Sequence, residues 1–174
     1  MTELPDLKRL SDDAARLVDA AKRAGADAAD AVVGTGRSVS VSVRMGKVEG
    51  TDASEGDSFS LRVFVGKQVA SISGVKGVDP VMLAERAVAM AKVAPEDPFA
   101  GLAPRERLAK TFPDLDLLDA TEVSPAALTE AALAQEAVAL AVAGVTNSGG
   151  SSASAGLGGT VLVTSDGFSG SNLR

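Results

Sequence analysis

Ser38-Val39-Ser40-Val41-Ser42-Val43-Arg44 alternates polar and apolar residues without a fault. A period of two puts the three valines on one face and the serines on the other, as a half-buried antiparallel strand requires. The same period begins at Ala28, and on the other side Met45-Gly46 offers a tight turn into Lys47–Ala53. The polar stretch Ser54–Asp57 leads into Ser58–Val65, where Phe59, Leu61, Val63 and Val65 share a face. Gly66-Lys67 then joins this run to Gln68–Ser73, with glycine in the first loop position to take the positive φ of a type II′ turn. Residues 28–74 are expected to form a meander of about five consecutive antiparallel strands, one face of which must be covered.

Helical periods flank the meander and supply the cover. Leu10, Ala14, Leu17, Val18 and Ala21 fall on one side of a segment from Ser11 to Ala24, with Ser11 as the expected N-cap and Gly25 as the left-handed stop. Asp79-Pro80 is a cap followed by a proline at the first helical position, and Leu83, Ala87, Met90, Ala91 and Ala94 continue at helical spacing. Pro95, Pro98, Pro104 and Pro113 punctuate a connector with no sustained period, in which Leu102–Leu108 could make a short turn. Ser124-Pro125 repeats the cap and opens the longest helix, to about Val142, with Leu128, Ala131, Ala132, Val138 and Val142 among its apolar positions. The expected class is α+β, an antiparallel meander under two or three helices. Its division is an N-terminal α+β domain over 1–123, then 124–174 with the long helix and the start of a second, Gly/Ser-rich β region. The run Asn147–Gly159 fits a flexible linker or a sheet of small residues approached closely by another backbone, and the sheet is the expectation. The last residues, Gly170-Ser171-Asn172-Leu173-Arg174, follow a strand pair just begun, so the chain is expected to be the front of a longer protein.

Composition narrows the chemistry. The 174 residues include no His, Cys, Trp or Tyr, so no Ser-His-Asp or Cys-His nucleophile, zinc finger or His-ligated metal can be built from them. A net charge of −6, with no basic residue between Lys110 and Arg174, argues against a DNA- or anionic-lipid-binding role for the C-terminal third. Neither a secretory signal in Met1–Leu10 nor about 18 uninterrupted apolar residues in Ala126–Val145 is present, and a cytoplasmic, non-membrane protein is expected.

The remaining constellations are weak. Gly156-Leu157-Gly158-Gly159 lacks the third glycine of G-x-G-x-x-G and leads into a strand, and Gly167-Phe168-Ser169-Gly170 is one residue short of a nucleophile elbow. Asp114, Asp116 and Asp119 have the oxygen chemistry for Mg²⁺ or Ca²⁺, yet a Pro-flanked acidic loop is ordinarily a solvated surface. The same holds for Glu49, Asp52, Glu55 and Asp57, which Arg44 and Arg62 are expected to meet as cross-strand pairs. The sheet edge remains, open to an extended peptide by strand addition.

A resemblance gives these pieces a context. Gly25–Ala31, the strand Ser38–Arg44, Gly46-Lys47-Val48-Glu49, Leu61–Ser71, Pro95-Glu96-Asp97-Pro98, Thr146–Gly150 and Thr164–Gly170 together resemble, in order, the N-terminal part of the TldD/PmbA family, also called modulator of DNA gyrase, and specifically its PmbA (TldE) branch. The resemblance implies a cytoplasmic metallopeptidase system in which a TldD-type subunit carries zinc on an H-E-x-x-x-H helix and a PmbA-type subunit lacks it. It implies for this chain a scaffold or partner-contacting role beside a TldD-like subunit, or in a homodimer, with unfolded peptides as substrate and neither nucleic acid nor membrane as partner. No catalytic, cofactor-binding or metal residue carries over, and zinc is expected only in the TldD-type partner. Against this stands an autonomous peptide- or protein-binding module, acting by strand addition or as a gyrase modulator. A carboxylate hydrolase built on Asp114 and Asp116 is a distant third.

Overall fold

The structure, a computed structural model, describes residues 3–75, 77–119 and 121–174. In chain order the elements are α1 (Leu7–Arg23), β1 (Ala28–Arg44), β2 (Lys47–Val65), β3 (Gln68–Val75), α2 (Pro80–Val93), a single 3₁₀ turn (Arg105–Arg107), α3 (Pro125–Leu140), β4 (Ser151–Thr164) and β5 (Ser169–Leu173). The five strands form one sheet in the order β3-β2-β1-β4-β5. The α+β class, the antiparallel sheet and its helical cover are as expected.

The strands come from other places than the period indicated. Residues 28–75 make three strands, not five, because Ser54–Asp57 does not interrupt β2. Polar side chains are tolerated there since almost all of that half of the strand is exposed to water while its backbone stays in the ladder. The Gly/Ser-rich run becomes β4, which joins the same sheet beside β1 rather than starting another. A backbone approaches closely at Gly156, where a Cβ would lie 3.4 Å from the Arg37 carbonyl oxygen, whereas at Gly159 it is side chains that crowd in: a Cβ there would lie 2.7 Å from Cβ of Pro5 and 3.2 Å from Leu7 and Leu173. Both hairpin turns are as read. Met45 and Gly46 are both left-handed, at φ 48° and 74°, whereas at the second turn Gly66 alone is, at 59°.

Helix α1 starts four residues earlier than expected. Asp6, not Ser11, is the N-cap, its carboxylate accepting the Arg9 N–H at 3.0 Å. Lys8–Asp12 and Arg9–Asp13 ion pairs one turn apart support that extra turn. Asp79 and Ser124 cap α2 and α3 as anticipated, each followed by proline. In α3 the apolar face is placed differently: Leu128 and Ala132 are buried, but Val138 and Val142 are 73% and 58% exposed, and the third buried residue is Glu136.

Contacts divide the chain into two compact units. One holds residues 1–4, 36–55 and 119–157, the other 5–35, 56–118 and 158–174. The larger has a core of small side chains, in which Leu10, Leu17 and Ala21 of α1 and Leu83, Ala87 and Ala91 of α2 meet Leu61 and Val63 of β2. The apolar core of the smaller is Val41, Val43, Leu128 and Ala132, with Glu136 buried beside them on α3. No helix among the described residues is long and apolar enough to cross a membrane.

Candidate functional site

The smaller unit is an arm made of the β1–β2 hairpin end, α3 and the first half of β4. A left-handed two-residue turn leaves successive N–H groups pointing out of the chain, a concave donor pair suited to an anion. Here the anion is internal. Glu136 accepts Met45 N–H on Oε1 at 2.9 Å and Gly46 N–H on Oε2 at 2.8 Å. The Gly46 N–H, the Ser148 side chain, the Met45 N–H and the charge of Arg44 hold its carboxyl below the usual carboxylate range. Behind it, Gly150 sits at φ 106°, where a Cβ would come within 2.9 Å of the Val43 carbonyl oxygen. The hairpin tip, α3 and the entry to β4 are thus held at a single point.

One edge of this unit has a single strand neighbour among the described residues. Among the described residues, pairing of β3 with β2 ends at Ser58↔Val75, so residues 47–56 have β1 as their one strand neighbour there. Pairing of β5 with β4 runs to Gly159↔Leu173 and is extended by the reciprocal Gly158 and Arg174 backbone bonds. Across the three strands lies a groove of about 990 Å³, floored by Arg37 and Val39, Ser54 and Glu55, and Ala155 and Leu157, and walled in part by Asp119 and Thr121–Ser124. The hydroxyl and backbone N–H of Thr121 hold the Asp119 carboxyl below its ordinary range, so it is charged at neutral pH. Arg37 donates to the Glu3 carbonyl oxygen at 3.0 Å. A separate hollow of about 160 Å³ in the larger unit, lined by Leu17, Val33, Phe59 and Leu83 among others, is mostly apolar.

Other residues singled out from the sequence are not brought together. Asp114 and Asp119 each accept a backbone N–H two residues on, from Asp116 and Thr121, as ordinary loop turns. Arg62 does not meet the acidic hairpin: both its Nε and Nη2 reach Oδ2 of Asp30 on the neighbouring strand, at 3.0 and 2.5 Å, with the guanidinium over Phe64. Arg44 donates instead to the Ser148 carbonyl oxygen, and Asp57 pairs with Arg9 of α1. Gly156–Gly159 lies within β4, which no helix follows, and Gly167–Gly170 belongs to the β4–β5 hairpin, where Thr164 N–H meets the Phe168 carbonyl oxygen. The roles of Glu136 and Asp30 were missed. The signal for Glu136 was a carboxylate standing alone in the apolar second half of α3.

Fold and site together define an α+β domain, one five-stranded sheet with three helices. A family model described as PmbA/TldA metallopeptidase domain 1 matches residues 29–91. The chain is 33% identical over 146 residues to the metalloprotease PmbA of Escherichia coli, covering 82% of this chain and 32% of that protein. It is 33% identical over 125 residues to the PmbA homolog of Haemophilus influenzae, covering 71% and 28%. Among solved structures, a Bacteroides thetaiotaomicron protein named as a modulator of DNA gyrase matches with TM-score 0.78 at 24% identity, over 98% of this chain and 39% of that one. TldE of Thermococcus kodakarensis matches with TM-score 0.69 at 18% identity, over 91% and 36%; these two likenesses concern the fold. The chain belongs to the PmbA/TldD family, with its likeness on the PmbA/TldE side, and spans about a third of the length of the curated relatives it matches.

The family name implies a metal, and the residues present do not fit one. The chain has no His or Cys, and among the described residues no three carboxylates gather closely enough to hold an ion.

Proposed function

We propose that this chain is the scaffold and partner-contacting first domain of a PmbA (TldE)-type subunit in a zinc metallopeptidase assembly that degrades unfolded peptides, the zinc being held by a TldD-type subunit. The observation that carries this reading is the 33% identity to a protein named metalloprotease PmbA along 82% of the chain. A donor set without imidazole or thiolate agrees with a supporting role, since catalytic zinc is ordinarily held by His, Cys and carboxylate in combination. The test is co-purification of the full-length protein with a TldD-like subunit. A complex that survives size-exclusion chromatography and cleaves unfolded peptide only when both subunits are present is expected. Cleavage by this protein alone, or no association, overturns the reading.

A second reading, capture of an extended peptide by strand addition, is favoured by the open side of β2 over residues 47–56. Modulation of a topoisomerase rests on the name of the Bacteroides relative alone, and a supercoiling assay with and without the full-length protein tests it.

A further inference from the structure

The outer half of β2 is an unusual strand. From Lys47 to Gly56 each residue is exposed apart from the half-buried Gly50, so neither face is covered by packing. One ladder to β1 holds it, together with the turn anchored by Glu136. At about 3.3 Å per residue its outer side offers a peptide-length row of backbone donors and acceptors with no strand of the described residues beside it.

Its charge selects what can lie there. Glu49, Asp52 and Glu55 recur every three residues against a single cation, Lys47. The ion pairs of the described residues use Asp12, Asp13, Asp30 and Asp57, and none of these three. A three-residue spacing on a two-residue pleat distributes the carboxylates over both faces. Pairing of two copies antiparallel about Asp52 would set Asp52 against Asp52 and Glu49 against Glu55, like charges directly opposed. That register is disfavoured, and the excess of carboxylates over the single cation disfavours an anionic chain.

We infer that the outer edge of β2, residues 47–56, is a strand-addition site for an extended cationic peptide with Lys or Arg at intervals of about three residues. Backbone hydrogen bonds supply the pairing, and Glu49, Asp52 and Glu55 supply the preference. This deepens the strand-addition reading and is independent of whether a TldD-like subunit associates.

The experiment is calorimetric titration of the full-length protein with a peptide of about ten residues carrying Lys at every third position between Thr and Val. Two controls accompany it, the same peptide N-methylated at alternate residues and the variant E49K/D52K/E55K. Expected are one-to-one binding that weakens at high salt, a loss of about tenfold or more in the charge-reversed variant, and no binding of the N-methylated peptide. Absence of binding, equal affinity for the variant, or equal affinity for the N-methylated peptide overturns the inference. If circular dichroism shows the charge-reversed variant unfolded, E49Q/D52N/E55Q replaces it, with a smaller loss expected and equal affinity again overturning. Association with the TldD-like subunit is measured separately on the same variants and is expected to be unchanged, which separates failure of the peptide site from failure of the assembly reading.

Discussion

Glu136 shows how much one side chain can organise. Its carboxylate takes both outward N–H groups of the Met45-Gly46 turn, and those donors lose their charged acceptor when it is protonated or replaced. Its folded-state pKa is depressed, so its contribution to stability is complete above the unfolded value of about 4.3 and disappears as pH falls through the folded one. Acid titration of the melting temperature, wild type against Glu136→Gln, checks this. Two curves well separated at neutral pH and converging only below about pH 4 are expected, and a constant separation would refute the role. Gly159 is a second residue whose meaning lies in its neighbours. With Pro5 Cβ 2.7 Å from the position of a new methyl group, Gly159→Ala is expected to cost about 1–3 kcal/mol in urea unfolding, because backbone-anchored proline has little room to shift.

Among the elements, turn and cap chemistry was legible and strand extent was not. Met45-Gly46, Gly66-Lys67, Asp79-Pro80 and Ser124-Pro125 work through bonds to residues a few positions away, and all four act as their residue types indicate. Whether Ser54–Asp57 loops out or stays extended depends on β1 lying alongside, and Ser11 lost the N-cap to Asp6 because the helix gains another turn with its ion pairs. The candidate site divides the same way. Acidic Glu49–Glu55 was visible as composition, but that this stretch is an unpaired edge follows from β3 ending at Val75. The apolar face of α3 failed as a sequence inference because Ala and Val at helical spacing surround the whole helix, leaving periodicity nothing to select.

At the scale of the molecule, the two compact units differ in how much they bury, and local stability follows buried apolar contact. Leu61 is fully buried in the larger core, and Leu61→Ala is expected to cost about 2–5 kcal/mol of global stability in denaturant titration. Leu128 belongs to a core of four buried residues, so Leu128→Ala is expected to act locally. Hydrogen exchange should show faster opening of 36–44 and 125–140 in that variant, with 59–65 and 83–91 little changed; uniform acceleration would show the units to be one cooperative body.

Alternation, glycine turns and helix caps were present in the sequence, and with them the α+β class and the absence of any imidazole or thiol for catalysis, because each depends on residues within a few positions of one another. Which strand lies beside which, where an edge stays open, and that Asp30 meets Arg62 and Glu136 meets the Met45-Gly46 turn came from the folded chain. Those partners stand 32 and 91 positions apart, and a local period records which face a residue occupies but not what comes to rest against it.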